Sequence, residues 1–215
     1  MSHRKKIKKS SGRDGGILAA LNFFTETGLL KKVKRSGWWV AGIKDPESVA
    51  EHCFRTAVIG LYLAYLEKAD PFRVVTMSLF NDIHETRIND LHKMGHYYID
   101  FKLAEKKVFE DQLKGLDAKF RRTLGSLRRD YDHQRTKESL IARDADILEC
   151  LLQAKEYYDN GYKKARLFMQ RAPDHLRTRS AKRIWQQVGA VTAARSSEGS
   201  WNSSDWWQDV VRFER

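Results

Sequence analysis

The chain has 215 residues, an apolar fraction of 41% and a formal net charge of +12, which predicts one soluble globular domain with a full hydrophobic core and appended segments. Its longest apolar run, AVIGLYLAYL, is about half the roughly 20 residues that a membrane-spanning helix needs. The basic N-terminus lacks the apolar stretch of a secretory signal, and Cys53 and Cys150 are interpreted as reduced, buried thiols. These features exclude a membrane or secreted protein and predict a cytoplasmic one.

The positive charge is concentrated in two regions. Residues 1–15, MSHRKKIKKSSGRDG, form a predicted basic flexible tail, and a second group of lysines and arginines lies between residues 163 and 183. Such charge favours polyanionic partners, from phosphorylated metabolites to nucleic acid bound through the tail. A solvated tail and solvated helix faces are the alternative interpretation.

The first half of the chain shows three helical patterns. Apolar residues recur at three- and four-residue spacings from Gly16 to Val33, with a break near Gly28. After the connector SGWWVAGIKDPES, the pair Asp45–Pro46 is typical of a helix start and predicts a helix from Pro46 to Lys68. Asp70 and Pro71 repeat this signal and predict a third helix to about Thr86.

The second half is also helical by its pattern. After the loop RINDLHKMGHYYID, apolar periodicity predicts helices over about 102–127 and 135–159, then over 161–172 and 174–191. No strand pattern occurs, so the predicted fold is all-α. Beyond residue 194 the composition becomes rich in serine and tryptophan. We therefore predict a domain over 16–194 and a C-terminal extension over 195–215, which packs on its own domain or recruits a partner.

Three side chains on different predicted helices form a candidate metal site. A divalent metal with nitrogen and oxygen ligands needs imidazole and carboxylate groups that converge from separate elements, and His52, Asp82 and Asp146 supply them. Singly, each is an ordinary helix residue. However, Asp82 and Asp146 interrupt apolar patterns, where an unpaired carboxylate would be costly.

The flanks of these residues resemble a known family. The segments WWVAGIKDPESVAEHCFRTAVI, SLFNDIHETRINDL and RDADILECLLQAKEYY are similar to the HD-domain metal-dependent phosphohydrolases, in particular the branch that contains bacterial 5'-deoxynucleotidase. The resemblance covers roughly residues 17 to 190. It implies an HD-domain helical bundle, one divalent metal ion (Mn, Co, Fe, Zn or Mg), phosphate release from nucleoside 5'-monophosphates, and a homodimer.

Motif by motif, the resemblance implies a set of metal ligands with one departure. These ligands are His52, Asn81, Asp82 and Asp146. Asn81 stands where the family has the histidine of its His–Asp pair, and an amide oxygen is a weaker donor for nitrogen-preferring metals. The site therefore binds metal weakly, or belongs to a pseudoenzyme, or carries a substitution introduced to stop turnover. His84 would point about 200° away from Asp82 around a helix and is a poor replacement.

The resemblance also implies catalytic and substrate-binding residues. Glu85, one turn after Asp82, assists the chemistry at the phosphate, and with Asp82 it forms the predicted catalytic pair. Arg35 would meet a phosphate and Asp90 a sugar hydroxyl, although Asn89 replaces the usual glycine before that aspartate. Trp38 or its neighbour Trp39 would lie against the nucleotide.

Two functions remain open from the sequence. The first is a metal-dependent phosphomonoesterase that uses the residues named above. The second is a catalytically inactive HD-fold scaffold that binds nucleic acid or protein, which the substitution at Asn81, the basic tail and the tryptophan-rich C-terminus favour.

Overall fold

The computed structural model describes residues 13–193, with side chains for 15–170 and 172–188. The bulk of the predicted basic tail and the predicted C-terminal extension lie outside these residues. Their boundaries therefore stay predictions.

Helices make up all the regular structure of residues 13–193 apart from one isolated bridge between Lys34 and Ser48. The α-helices are α1 (Arg13–Thr27), α2 (Gly37–Val40), α3 (Val49–Glu67), α4 (Pro71–Phe80), α5 (Glu85–Ile88), α6 (Phe101–Gln112), α7 (Ala118–His133), α8 (Lys137–Asp159), α9 (Arg166–Arg171) and α10 (Arg179–Ala193). Short 3-10 turns occur at Gly28–Lys31, Gly95–Tyr97, Lys163–Ala165 and Ala172–His175. The all-α prediction is confirmed, and so is the break near Gly28. Within this part of the chain, no helix combines the length and the apolar character needed to cross a membrane.

The central core lies where α3, α4 and α8 pack together. Leu63, Val74, Ile141 and Leu148 are fully buried there. Gly60 lets α3 and α4 approach closely, because a Cβ atom at this position would lie 3.0 Å from a methyl group of Val74. These three helices also carry the candidate metal ligands or end next to them.

The start of α3 differs from the prediction. The helix begins at Val49, and Ser48 is its N-cap, with a reciprocal capping box between Ser48 and Glu51. Asp45 instead forms a salt bridge with Lys34 at 2.7 Å. The Asp–Pro pair is a valid start signal in general, but the capping box three residues later satisfies more backbone donors here.

The predicted third helix is wrong beyond Phe80. The helix α4 ends there, residues 81–84 form turns, and α5 begins at Glu85. Arg128 of α7 donates a hydrogen bond from Nη1 to the carbonyl oxygen of Asn81 at 2.8 Å, which satisfies a helix-end acceptor from outside the helix. This break determines how the Asn81–Asp82 pair is presented.

The predicted helix over 102–127 is two helices, α6 and α7. Gly115 adopts a positive φ of 83° between them, and Asp117 caps α7 by accepting hydrogen bonds from the backbone N–H groups of Lys119 and Phe120. Among the last helices, α9 and α10 are shorter at their starts than the patterns over 161–172 and 174–191 predicted.

Candidate active site

His52 lies at the centre of the candidate site and is 1% exposed. Its Nε2 atom is 3.1 Å from Asp146 Oδ1 and 3.5 Å from Asp82 Oδ2. Three separate elements supply these groups: α3, the turn after α4, and α8. The structure therefore brings together the imidazole and the two carboxylates that the sequence singled out.

The other ring nitrogen of His52, Nδ1, is held by Glu149. The Nδ1 atom lies 2.5 Å from Glu149 Oε2, and Arg55 donates to Glu149 Oε1 from Nε and Nη2 at 3.0 and 2.8 Å. A carboxylate that orients a histidine in this way is a common support of metal-binding imidazoles. Sequence reasoning missed Glu149, although its position three residues after Asp146 on α8 was a usable signal.

Asp146 divides its two oxygens between two tasks. While Oδ1 faces His52, Oδ2 accepts hydrogen bonds from Arg143 Nη1 at 2.6 Å and from Tyr131 OH at 3.3 Å. Burial alone would raise the pKa of Asp146, but His52 and Arg143 outweigh it and hold the pKa below its usual value. Asp146 is thus a carboxylate whose Oδ1 atom contacts His52 Nε2 at the centre of the site.

Asn81 and Asp82 interact directly in the turn after α4. The Asn81 Nδ2 group donates to Asp82 Oδ1 at 2.8 Å, so the side chain of Asn81 braces the carboxylate beside it. His84 is buried behind this turn, with Nε2 3.4 Å from Glu105 Oε1 and its ring next to Phe101. His84 thus contacts residues of α6, and no contact joins it to His52, Asp82 or Asp146 within the described residues.

Positive charge in the site comes from Arg35 and His52. Arg35 Nη1 is 3.9 Å from Asp82 Oδ2. Burial opposes its charge, but Asp82, Asp146 and Asp90 hold the pKa of Arg35 well above the usual value. Burial and Arg35 likewise lower the pKa of His52, yet Glu149 and Asp146 raise it to about 10. The carboxylates around His52 therefore favour a positive charge at Nε2, which is a proton here and which a divalent metal would displace on binding.

Glu85 is a buried carboxyl group at the start of α5. It is 5% exposed, and its Oε2 atom has no hydrogen-bond partner among residues 13–193. Burial raises the pKa of Glu85 well above its usual value, and the charges of Asp82 and Asp90 act in the same direction. Glu85 is therefore suited to holding a proton close to the ligand candidates His52 and Asp82.

The two tryptophans have different environments. Trp38 is 2% exposed, packs its ring against Tyr157 and Phe168, and donates from Nε1 to Glu47 Oε1 at 2.9 Å. Trp39 is 53% exposed. The structure therefore places Trp38 in a supporting cluster; its predicted contact with a nucleotide stays a prediction.

Glu47 is a second site residue that sequence reasoning missed. Burial and the charge of Glu149 raise its pKa to about 7. Glu47, His52 and Glu149 each offer a ligand atom within 4.8 Å of the others. However, both oxygens of Glu149 are already bonded to Arg55 and His52, so this side of the ring is the poorer metal position.

Asp90 connects two loops beside the site. Its Oδ2 atom accepts a hydrogen bond from the backbone N–H of Ser36 at 2.5 Å. This contact ties the segment after α5 to the segment that carries Arg35. Asp90 therefore positions the arginine, and its predicted contact with a sugar hydroxyl stays a prediction.

Asn89 adopts a backbone conformation that favours glycine, with φ 61° and ψ 165°. A residue with a Cβ atom is strained in this region by roughly 1–3 kcal/mol. We expect Asn89→Gly to raise the free energy of unfolding by about 1 kcal/mol, after the larger chain entropy of glycine is subtracted. Thermal unfolding measures the change, and Asn89→Ala, which keeps a Cβ atom, is the control that should show no gain. A lower melting temperature for Asn89→Gly would contradict the interpretation.

The donor chemistry around His52 Nε2 fits a divalent ion. One imidazole nitrogen and the carboxylates of Asp82 and Asp146 are donors that transition metals and magnesium accept. The oxygen of Asn81 is a fourth candidate, since its amide nitrogen is engaged with Asp82. The residues present therefore suit the metal that the sequence predicted, with one weaker ligand.

Comparison with known proteins identifies the family. A family model described as "HD domain" matches residues 27–188. The chain belongs to the HD-domain family. This HD-domain chain is 30% identical over 145 residues to the "5'-deoxynucleotidase HDDC2" of Dictyostelium discoideum, covering 64% of this chain and 76% of that relative. The human protein of the same name is 29% identical over 153 residues, covering 71% and 74%.

Solved structures share the HD-domain fold. The PH0347 protein from Pyrococcus horikoshii OT3 is 28% identical with a TM-score of 0.66, covering 76% of this chain and 99% of that one. A "predicted metal-dependent phosphohydrolase" from Magnetospirillum magnetotacticum MS-1 is 20% identical with a TM-score of 0.68, covering 85% and 95%; at this identity the likeness supports the fold. The family match over residues 27–188 and the 5'-deoxynucleotidase relatives identify this HD-domain chain as an enzyme of the phosphohydrolase kind, and the family implies a divalent metal.

Proposed function

We propose that this HD-domain protein is a metal-dependent phosphomonoesterase that acts on nucleoside 5'-monophosphates. The observation that carries the proposal is the convergence of His52 Nε2, Asp82 and Asp146 within 3.5 Å, with the imidazole oriented by Glu149. The names of the relatives, which are 5'-deoxynucleotidases, support the choice of substrate class.

His52, Asp82 and Asp146 would hold the metal, with the oxygen of Asn81 as a weaker fourth ligand. When bound, a divalent ion there supplies positive charge that polarises a phosphoryl oxygen and favours ionisation of a water. Magnesium and manganese tolerate oxygen-rich ligand sets, whereas zinc and cobalt gain more from a second imidazole. We therefore expect Asn81 to shift the preference of the site towards the harder ions.

Two further groups act on the substrate in this proposal. Arg35 meets the phosphate through its guanidinium group, which lies beside Asp82 and stays charged. As the oxygen of water bonds to phosphorus, the bond from phosphorus to the 5' oxygen breaks. Glu85 gives its proton to that leaving oxygen, and its Oε2 atom has no hydrogen-bond partner among residues 13–193 that would compete. Asp82 would contribute to catalysis as one of the residues that hold the metal.

The decisive experiment compares the native chain with Asn81→His. The variant restores a second imidazole, and we expect its affinity for cobalt or zinc to rise about 10- to 100-fold, with a smaller gain for magnesium. Phosphate release from a panel of nucleoside monophosphates should rise in parallel. Metal content, isothermal titration and a phosphate assay measure these quantities.

Each outcome of this comparison has a definite meaning. Activity in both proteins shows a working variant site. Activity in Asn81→His alone shows an intact pocket that is inactive because one metal ligand has been replaced. If neither protein releases phosphate and neither binds metal, the result contradicts the phosphohydrolase proposal and favours the scaffold function.

We also propose that the protein forms a homodimer through the outer face of α3. A continuous stripe of large apolar side chains is exposed there, between 42% and 70%. Its members are Phe54, Val58, Leu61, Tyr62 and Tyr65. A patch of this kind marks an interaction surface on a water-soluble domain. Light scattering should report a dimer that Leu61→Glu with Tyr65→Glu converts to a monomer, while Leu167→Glu on α9 leaves it intact; a monomeric native chain would contradict this.

A further inference from the structure

Asp146 presents one oxygen to the centre of the site, while its other oxygen is held by two donors. Its Oδ1 atom lies 3.1 Å from His52 Nε2. Its Oδ2 atom accepts a hydrogen bond from Arg143 Nη1 at 2.6 Å and another from Tyr131 OH at 3.3 Å. The second oxygen can therefore turn towards a bound ion only if these two hydrogen bonds break.

Two other carboxylates of the site are arranged in a similar way. Asp82 Oδ2 lies 3.5 Å from His52 Nε2, while Asp82 Oδ1 accepts a hydrogen bond from the side chain of Asn81 at 2.8 Å. Glu149 has both oxygens engaged, one with His52 Nδ1 and the other with Arg55. The site therefore offers a cation single carboxylate oxygens from Asp82 and from Asp146, and no carboxylate with two free oxygens.

The two donors that hold Asp146 Oδ2 come from different helices. Arg143 lies three residues before Asp146 on α8, and its side chain is 49% exposed. Tyr131 belongs to α7, and its ring packs against the central core. The core contact fixes the position of the tyrosine hydroxyl group, and the arginine adds a charged donor. Together they orient one oxygen of Asp146 from two sides.

Divalent ions differ in how many carboxylate oxygens they need. Calcium takes about six to eight oxygen ligands in a flexible geometry and commonly uses both oxygens of a carboxylate. Magnesium takes about six in a near-octahedral arrangement and keeps several water molecules, so that single carboxylate oxygens are sufficient. Neighbouring groups that fix the orientation of a ligand also determine how it can bind. A site whose second oxygens are already engaged therefore disfavours calcium.

We propose that Tyr131 and Arg143 are positioning residues that restrict Asp146 to one ligating oxygen, so that the site selects magnesium over calcium. The inference rests on the proposed metal-dependent function and adds an ion selectivity to it. A hydrogen bond to a charged group changes an equilibrium constant by a factor on the order of ten. Calcium loses about this factor when it draws Oδ2 away from its donors, whereas magnesium uses Oδ1 and leaves the donors in place.

The test measures the dissociation constants of magnesium and calcium for the full-length protein, by competition with manganese followed by electron paramagnetic resonance. We expect the ratio of the calcium constant to the magnesium constant to fall about tenfold in the double variant Tyr131→Phe, Arg143→Gln, and about threefold in each single variant. Loss of the arginine charge strengthens the binding of both divalent ions, and this effect cancels in the ratio. Arg143→Lys keeps a cationic donor and should retain the native ratio within about twofold.

Arg73→Gln is the matched control for charge. Arg73 lies on α4 and pairs with Asp130 of α7, so the variant removes the same charge from a neighbouring helix and should leave the ratio unchanged. An unchanged ratio in the double variant, an equal change in Arg73→Gln, or no rescue by Arg143→Lys would overturn the inference, while ion binding and phosphate release by the native protein would still support the proposed function. A native protein that binds none of the three ions would contradict both.

Discussion

Asp146→Asn is expected to lower phosphate release by roughly three orders of magnitude, because loss of a metal ligand removes several kcal/mol of charge stabilisation at the phosphate. The Oδ1 atom of Asp146 lies 3.1 Å from His52 Nε2, whereas the other oxygen is held by Arg143 and Tyr131. An amide keeps the shape of the side chain but loses the negative charge. Metal affinity, measured by titration calorimetry, should fall at least about 100-fold.

Asp144→Asn is the matched control within the same RDAD segment. Asp144 is fully buried, and its two oxygens accept hydrogen bonds from the backbone N–H groups of Arg177 and Thr178 at 2.9 and 2.6 Å. We expect this variant to lower the free energy of unfolding by about 1–3 kcal/mol and to keep its metal affinity. If Asp144→Asn lost metal and Asp146→Asn did not, the assignment of the two carboxylates would be wrong.

Glu85→Gln is expected to lower kcat by roughly 10²- to 10⁴-fold while metal affinity changes little, because an amide cannot give a proton to the leaving oxygen. The carboxyl group is buried, and its Oε2 atom has no partner within the described part of the chain. Substrates with better leaving groups need less protonation. The loss should therefore be much smaller for an aryl phosphate such as nitrophenyl phosphate than for a nucleoside monophosphate.

The comparison of substrates distinguishes proton donation from a structural role. A variant that merely distorts the turn would slow both substrates equally and would also weaken metal binding. Glu110→Gln, on the exposed side of α6, is the control for loss of a carboxylate as such. An equal fall for both substrates would contradict the assignment of Glu85 as the proton donor.

The substitution at Asn81 has a structural as well as a chemical side. Its side-chain amide nitrogen donates to Asp82 Oδ1 at 2.8 Å, and its backbone carbonyl oxygen accepts a hydrogen bond from Arg128. Asn81 therefore braces the carboxylate next to it and keeps the turn after α4 in place. Asparagine at position 81 is therefore compatible with an ordered site. The comparison with Asn81→His measures how strongly that site binds metal.

The sequence alone was sufficient for the fold class and for much of the candidate site. Apolar periodicity marks the long helices α3 and α8 because a helix that faces a core must repeat its apolar residues. His52, Asp82 and Asp146 could be selected because a histidine and two carboxylates within apolar patterns need a partner. The family resemblance, confirmed by the match over residues 27–188, added Asn81 and Glu85.

Only the tertiary structure decided how these groups are held. Glu149 orients His52 from 97 residues further along the chain and is itself held by Arg55, from which it is 94 residues away; no local pattern encodes these contacts. The break of the third predicted helix at Phe80 depends on Arg128 from α7, which satisfies the carbonyl oxygen of Asn81.

The charge of the chain shows the same division. The sequence determined that the chain is basic, with a net charge of +12. Which charged groups pair followed from the tertiary contacts, such as that of Asp130 with Arg73. Periodicity and composition are properties of a segment, whereas orientation and pairing depend on which segments meet, because hydrogen bonds and ion pairs act over a few ångströms in space and not along the chain.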